Sequence, residues 1–242
     1  MHCERLVVVG DAHLGREPPE TERAFLAFLE AVPELGDGLL VAGDLFEFWF
    51  TWRRAVPRRG ARVVARLAAL RARLPVLFVG GNHDRWGGDF WDRELGIAYA
   101  PHSARFTAGR RAGLVLHGDG ITETHWSARL LHRVTSHRLT IGAFRLVHPD
   151  LACWAVDRLS GVLGDTTRDP QVLQEAARRQ REWALQALRR EPRLDLVVMS
   201  HTHIPAAEEV EPGRWYLNPG AWCDGYRYAV VEAGAVRLAA FA

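Results

Sequence analysis

The sequence predicts an α/β fold built around a mostly parallel sheet, and three observations predict it. Short apolar runs recur along the chain and end on Asp, Asn or His. In the first half, amphipathic stretches of helical period lie between them. In the second half, a long segment carries helical patterns and no strand before strand-like pieces return.

Leu6-Val7-Val8-Val9-Gly10 leads into Asp11-Ala12-His13. From Glu20 to Val32, residues Phe25, Leu26, Phe28, Leu29 and Val32 share one helical face, with Pro18-Pro19 marking the start and Pro33 and Gly36 the end. Leu39-Leu40-Val41-Ala42-Gly43 then runs into Asp44. The aromatic run Leu45 to Trp52 precedes a second helix, from about Arg58 to Leu74. Pro75-Val76-Leu77-Phe78-Val79 enters Gly80-Gly81-Asn82-His83-Asp84, where the glycines let the backbone turn sharply. Strand-like pieces such as Ile97 to Ala100 follow, and Leu114-Val115-Leu116 ends on His117-Gly118-Asp119.

Residues 121–190 read as a helical insertion, with helices over Trp126–Leu139, Phe144–Leu159 and Gln171–Leu188. Leu196 to Ser200 ends on His201-Thr202-His203. Short strands over Arg214–Leu217, Tyr226–Val231 and Ala235–Ala240 complete the chain. The length suits a single domain, residues 1–242, carrying the insertion as a lid.

The net charge of +2 gives no argument for nucleic acid. All basic residues are Arg, which reads as base-composition bias. Cys3, Cys153 and Cys223 are scattered, which favours a reducing compartment over a disulfide framework. The first strand starts almost at Met1, leaving no room for a signal peptide, and no apolar stretch approaches the ~20 residues of a membrane span. The expected location is the cytoplasm, in solution or peripheral on a membrane.

Ligands in open α/β sheets lie beyond the carboxyl ends of strands, and five such ends here carry Asp, Asn or His. Residues two apart at a strand end can face one way, as Asp11 with His13 and His201 with His203 would. Sorted by chemistry, the donors suggest two ions. Asp11, His13, Asp44 and His203 would hold one; Asp44, Asn82, His117 and His201 the other, with Asp44 bridging. Oxygen and imidazole donors without thiolate suit Mn²⁺, Fe or Zn²⁺, with Mn²⁺ expected. Two ions ~3.5–4 Å apart would clamp a phosphate and acidify a bound water. Any one of these residues is more often a turn or a core histidine. Their joint placement carries the metal reading.

Asp11-x-His13, Gly43-Asp44, Gly81-Asn82-His83-Asp84, His117 and His201-x-His203 resemble the calcineurin-like metallophosphoesterase signature, complete and in family order. The resemblance implies a four-layer sandwich of two mixed sheets flanked by helices, with metals at one edge. It also implies that His83 protonates the leaving group or binds phosphate, and that Asp84 orients His83. Ser200 stands where the family usually has Gly.

A finer resemblance lies in Gly43 to Phe50, Val56-Pro57, Glu94 to Ile97 and His117 to Gly120, in His148 to Leu151 within the insertion, and in Tyr216 to Trp222. These are similar to the UDP-2,3-diacylglucosamine hydrolases, in the branch with Asn-His-Asp in the third motif. Better-known members carry Arg at the position of His83. The family cleaves the substrate's pyrophosphate to UMP and the lipid sugar phosphate for lipid A synthesis. An apolar lid would suit acyl chains, and guanidinium groups a diphosphate. Trp49, Arg53, Arg129, Arg133, Arg138 and Arg145 are the candidate substrate contacts, and a bound lipid implies docking on the inner-membrane surface. A nuclease would show a basic face, which is absent. A non-catalytic scaffold would have lost ligands, and every expected ligand is present.

Overall fold

The computed structural model describes residues 1–122, 126–163 and 170–242, apart from the side chains of 127–129, 131 and 159–163. In chain order the elements begin with β1 (His2–Cys3), β2 (Leu6–Val9), α1 (Pro19–Leu35), β3 (Gly38–Val41), α2 (Ala61–Arg71) and β4 (Val76–Val79). A π-helical turn at Phe90–Glu94 leads to β5 (Ala98–Ala100), β6 (Ser103–Ala108) and β7 (Arg111–Leu116). Helices α3 (Asp119–Thr122), α4 (Trp126–Ser136), α5 (Arg138–Phe144), α6 (Pro149–Leu163) and α7 (Pro170–Arg190) follow. Strands β8 (Leu196–Val198), β9 (Ala206–Glu211), β10 (Arg214–Asn218), β11 (Arg227–Glu232) and β12 (Ala235–Ala240) close the chain.

Two six-stranded mixed sheets result. One has the order β12-β11-β2-β3-β4-β5, with β2 to β5 parallel and β11 antiparallel to β2. The other has the order β1-β6-β7-β8-β10-β9, in which β7, β8 and β10 are parallel neighbours.

The period of two along each strand assigns the layers. Val7 and Val9, Leu39 and Val41, and Val76 and Phe78 pack with Phe25, Phe28 and Leu29 of α1 and Val63 and Leu67 of α2. Their alternates Leu6, Val8, Leu40, Leu77 and Val79 pack against Leu196, Val198 and Val115 of the other sheet. On that sheet's outer face, Val197 and Met199 meet Ala184 and Leu188 of α7. The layers are therefore helices, sheet, sheet, helix. Strands that bury both faces must be apolar throughout, which is why β2, β3, β4 and β8 read as unbroken apolar runs.

Three boundaries differ from expectation. The first helix runs on to Leu35, because Pro33 falls in its last turn, and Gly36 N–H closes the end on the Val32 carbonyl at 2.9 Å. The insertion is narrower than 121–190, because α7 belongs to the sandwich itself. Helices α4 to α6 rest elsewhere, on an aromatic platform of Phe48, Phe50, Trp52 and Trp86 that receives Ile141, Phe144 and Val147. The aromatic run thus divides: Phe46 and Trp49 turn into the main core, while Phe48, Phe50 and Trp52 carry the insertion. The helix expected from Phe144 starts at Pro149, since the residue before a proline disfavours helical backbone.

Candidate metal centre

Because β2, β3 and β4 are parallel neighbours in one sheet and β7 and β8 in the other, their carboxyl ends open on the same edge of the sandwich. The turns leaving them are strained. Asp11, His13, Asp44, His201 and His203 all have positive φ, between 45° and 74°. Left-handed backbone costs a non-glycine residue about 1–2 kcal/mol, and such costs concentrate where function fixes geometry. Gly43, at φ 97°, lets the chain pass against His117: a Cβ there would overlap the imidazole. A Cβ on Gly81 would overlap the Asp44 carboxylate.

These turns gather donors in overlapping groups, two of which fall within the ligand sets expected from sequence. Asp11, His13 and His203 offer atoms all within 4.8 Å of one another, as do Asp44, His117 and His201. Asp44 Oδ2 lies 3.0 Å from His117 Nε2, and Asp11 Oδ1 lies 3.9 Å from the same atom and 4.0 Å from His203 Nε2. Asn82 Oδ1 is 3.2 Å from His117 Nε2. His117 donates from Nδ1 to the Ala42 carbonyl at 3.0 Å, which leaves Nε2 as the nitrogen that could coordinate an ion.

The donor set fits metal ions on two grounds. Asp11 is wholly buried, yet its Oδ1 has no hydrogen-bond partner, a costly arrangement unless a cation completes it. The charges are also unusual for a core. Burial opposes ionisation of Asp44, but His117 and His83 hold its carboxyl well below the usual range. Burial likewise opposes protonation of His117, and the Asp44 and Asp11 carboxylates overcome it, raising the ring to about 10. Burial together with the charge on His117 pushes His201 down to about 3, leaving a neutral ring suited to ligation.

His83 stands at the rim. Its backbone N–H donates to Asp44 Oδ1 at 2.9 Å, and its Nδ1 to the Glu47 carbonyl at 2.7 Å. Its Nε2 then faces the cluster, 4.0 Å from Asp44 Oδ2. Asp84 does not orient this ring. Its buried carboxylate accepts from the backbone N–H groups of Leu45 (2.7 Å), Gly81 (2.8 Å), Asp44 (3.3 Å) and Phe46 (3.3 Å). The turn that sends His83 outward sends Asp84 inward, where it binds the Asp44 loop to the Asn82 loop. Asp84→Ala would leave four amides without this acceptor. It is therefore expected to cost stability, about 3 kcal/mol or more, in a denaturant melt. A variant of native stability that lost only turnover would return Asp84 to a chemical role.

Other candidates fall in different places. Trp49 is wholly buried and stacks on Phe46 at a 4.6 Å centroid separation, with Trp91 at 5.2 Å; it is a core residue with no exposed surface to offer a substrate, contrary to expectation. Arg53 lines a cleft of about 760 Å³ with Trp52, Arg54 and Phe90. Arg133 and Arg138 are exposed on α4 and α5, and Arg145 follows α5 and reaches over Gly88. The side chain of Arg129 lies outside the described residues.

Several residues at the centre had no sequence signal. Glu47, three residues after Asp44, meets His13 Nδ1 at 3.1 Å. Arg85 is buried, where it pairs with Asp119 and meets His132 of α4 at 3.1 Å. Gln180 of α7 is wholly buried and donates to the Ser200 carbonyl at 2.9 Å, bracing the turn that carries His201. Ser200 is wholly buried, and its hydroxyl occupies the space that a Cβ on Gly10 would need.

Fold and site together define a metal-dependent phosphoesterase: two facing sheets with a buried carboxylate–imidazole cluster on their shared carboxyl edge. The chain matches the calcineurin-like phosphoesterase family over residues 4–205 and belongs to it. It is similar to the UDP-2,3-diacylglucosamine hydrolase of Porphyromonas gingivalis, with 24% identity over 93% of each chain. It is also similar to that of Klebsiella pneumoniae, with 25% identity over 88% of this chain and 89% of the relative. Among solved structures, an archaeal phosphodiesterase shares the fold, with a TM-score of 0.51 and 14% identity over 98% of this chain and 99% of the other.

Proposed function

We propose that this protein hydrolyses the pyrophosphate of UDP-2,3-diacylglucosamine, releasing UMP and 2,3-diacylglucosamine 1-phosphate, with two divalent ions, Mn²⁺ by preference. The observation that carries the substrate is the near end-to-end similarity to relatives of that name. The insertion supports it. Eight of the ten exposed large apolar side chains among the described residues fall between Trp126 and Val172. Trp126, Leu130 and Val134 succeed one another at helical spacing on one face of α4. Exposed apolar side chains interspersed in the chain with the exposed Arg133, Arg138 and Arg145 suit acyl chains and an anionic lipid surface. No helix among the described residues is long and apolar enough to cross a membrane, so the contact proposed is peripheral, on the cytoplasmic face of the inner membrane.

Asp11, His13, Asp44 and His203 would hold one ion, and Asp44, Asn82, His117 and His201 the other. Such a pair supplies an acidified water and screens the phosphate oxygens. Asp44 Oδ2 faces Nε2 of both His117 and His83, and in this reading the Asp44 carboxylate would be shared between the two ions. His83 presents Nε2 to the departing oxygen, while the Glu47 carbonyl holds its Nδ1–H. Arg53 and Arg54 line a cleft together with Trp52 of the aromatic platform, and they are the guanidinium groups assigned to the diphosphate in this reading.

The test is Mn²⁺-dependent release of UMP from UDP-2,3-diacylglucosamine, with a chelator-treated control. Robust release is expected. Hydrolysis of a simple phosphodiester without UMP release would keep the centre and discard this substrate.

A further inference from the structure

Outside the ligand set, Asp224 backs a ligand ring. Asp224 Oδ2 lies 2.8 Å from His203 Nδ1, while Nε2 of the same ring faces Asp11 Oδ1 at 4.0 Å. An imidazole that donates its Nδ1–H to a carboxylate keeps a lone pair at Nε2, pointing where the ring is aimed.

The placement of Asp224 is built into the fold. Trp222 N–H donates to the Gly10 carbonyl at 3.0 Å and Cys223 N–H to the Asp11 carbonyl at 3.1 Å. The strand-end turn that carries Asp11 thus also carries the segment that carries Asp224. The Trp222 ring is wholly buried, edge-on to Phe25 at 5.1 Å and 4.9 Å from Phe28, and its Nε1 donates to the Thr21 carbonyl. Tyr226 N–H returns to the Trp222 carbonyl at 2.8 Å, closing the loop.

The two donor groups are backed unequally. Carboxylates stand behind His13 and His203, from Glu47 and Asp224. Behind His117 stands the backbone carbonyl of Ala42. Carboxylate backing of a metal-binding histidine fixes its tautomer and ring angle, and its removal typically costs 10–100-fold in affinity.

We propose that Asp224 is a positioning residue that holds His203 in the orientation and tautomer needed by the ion at Asp11, His13 and His203. This rests on the two-ion reading of the centre. Its consequence is selective: loss of Asp224 weakens one ion and spares the other. The Asp224 side chain is 60% exposed, so water competes for its oxygens, and the effect belongs at the lower end, about tenfold.

The experiment is a Mn²⁺ titration of the full-length wild type, Asp224→Ala and Asp224→Asn, followed by calorimetry. Histidine ¹⁵N spectra of the same proteins report the tautomer. Two ions are expected for the wild type. In Asp224→Ala one dissociation constant should rise about tenfold, with the other unmoved and the melting temperature near native. Asp224→Asn should fall between, because its amide oxygen still accepts from Nδ1–H, and the tautomer signature of one ring should change in the alanine variant alone. Wild-type constants in Asp224→Ala, or equal weakening of both ions, would overturn the proposal while leaving the two-ion centre standing. A wild type that binds fewer than two ions would overturn both.

Discussion

Asp44→Ala should lose both measurable hydrolysis and bound metal. The residue is 2% exposed and stands between the donor groups, with Oδ2 facing His117 Nε2 and His83 Nε2 and Oδ1 accepting the His83 amide. On the two-ion reading, truncation would remove a ligand from each ion, and it leaves His117 without the nearest of the carboxylates that compensate its buried charge. A single well-placed electrostatic group is worth about 10²–10³ in rate, and here loss of metal compounds it, so turnover should fall by about 10³ or more. Metal content by mass spectrometry and turnover of a chromogenic phosphodiester check this together. Asp44→Asn separates the two roles of the side chain: its amide oxygen keeps the bond to the His83 amide and only the charge is lost. Both variants should lose metal. An alanine variant that kept two ions would show that Asp44 does not bridge.

The donors were legible in the sequence because each follows an unbroken apolar run, and a parallel strand buried on both faces must end in a turn at the sheet's carboxyl edge. Which sheet each strand joins was not legible from local pattern. Leu114–Leu116 and Leu196–Val198 look like more strands of one parallel sheet, and only their pairing with β10 and β6 makes a second. The same limit applies to α7: its amphipathic pattern shows that one face is buried, but not that the partner is a sheet rather than other helices. Asp84 shows a finer limit. Neighbours in a turn point where φ and ψ send them, so three adjacent polar residues did not become three groups in one site. Gln180 gave no signal, since it is one of four glutamines in a helix rich in Arg, where such a residue reads as surface. Trp49 and Phe46, three residues apart, left the strand-like alternation of their neighbours because this run is a loop with single bridges rather than a strand.

His83→Ala should keep both ions and lose about 10²–10⁴ in rate, the range for a group that transfers a proton. Metal should stay because the contact that matters to the ligand loop is made by the backbone: the residue 83 amide still donates to Asp44 Oδ1 in the variant. The ring contributes Nε2 at the rim, 29% exposed and 4.0 Å from Asp44 Oδ2, and it packs edge-on to His13 at a 5.0 Å centroid separation. Its Nδ1 is committed to the Glu47 carbonyl, so any proton delivered to substrate comes from Nε2. Proton delivery matters in proportion to the basicity of the leaving oxygen. The loss should therefore be large with an alkoxide leaving group and small with a nitrophenolate, which departs without a proton. Equal losses with both would assign the ring to binding phosphate instead. Loss of an ion in this variant would make His83 a ligand, in keeping with its nearness to His13 and Asp44.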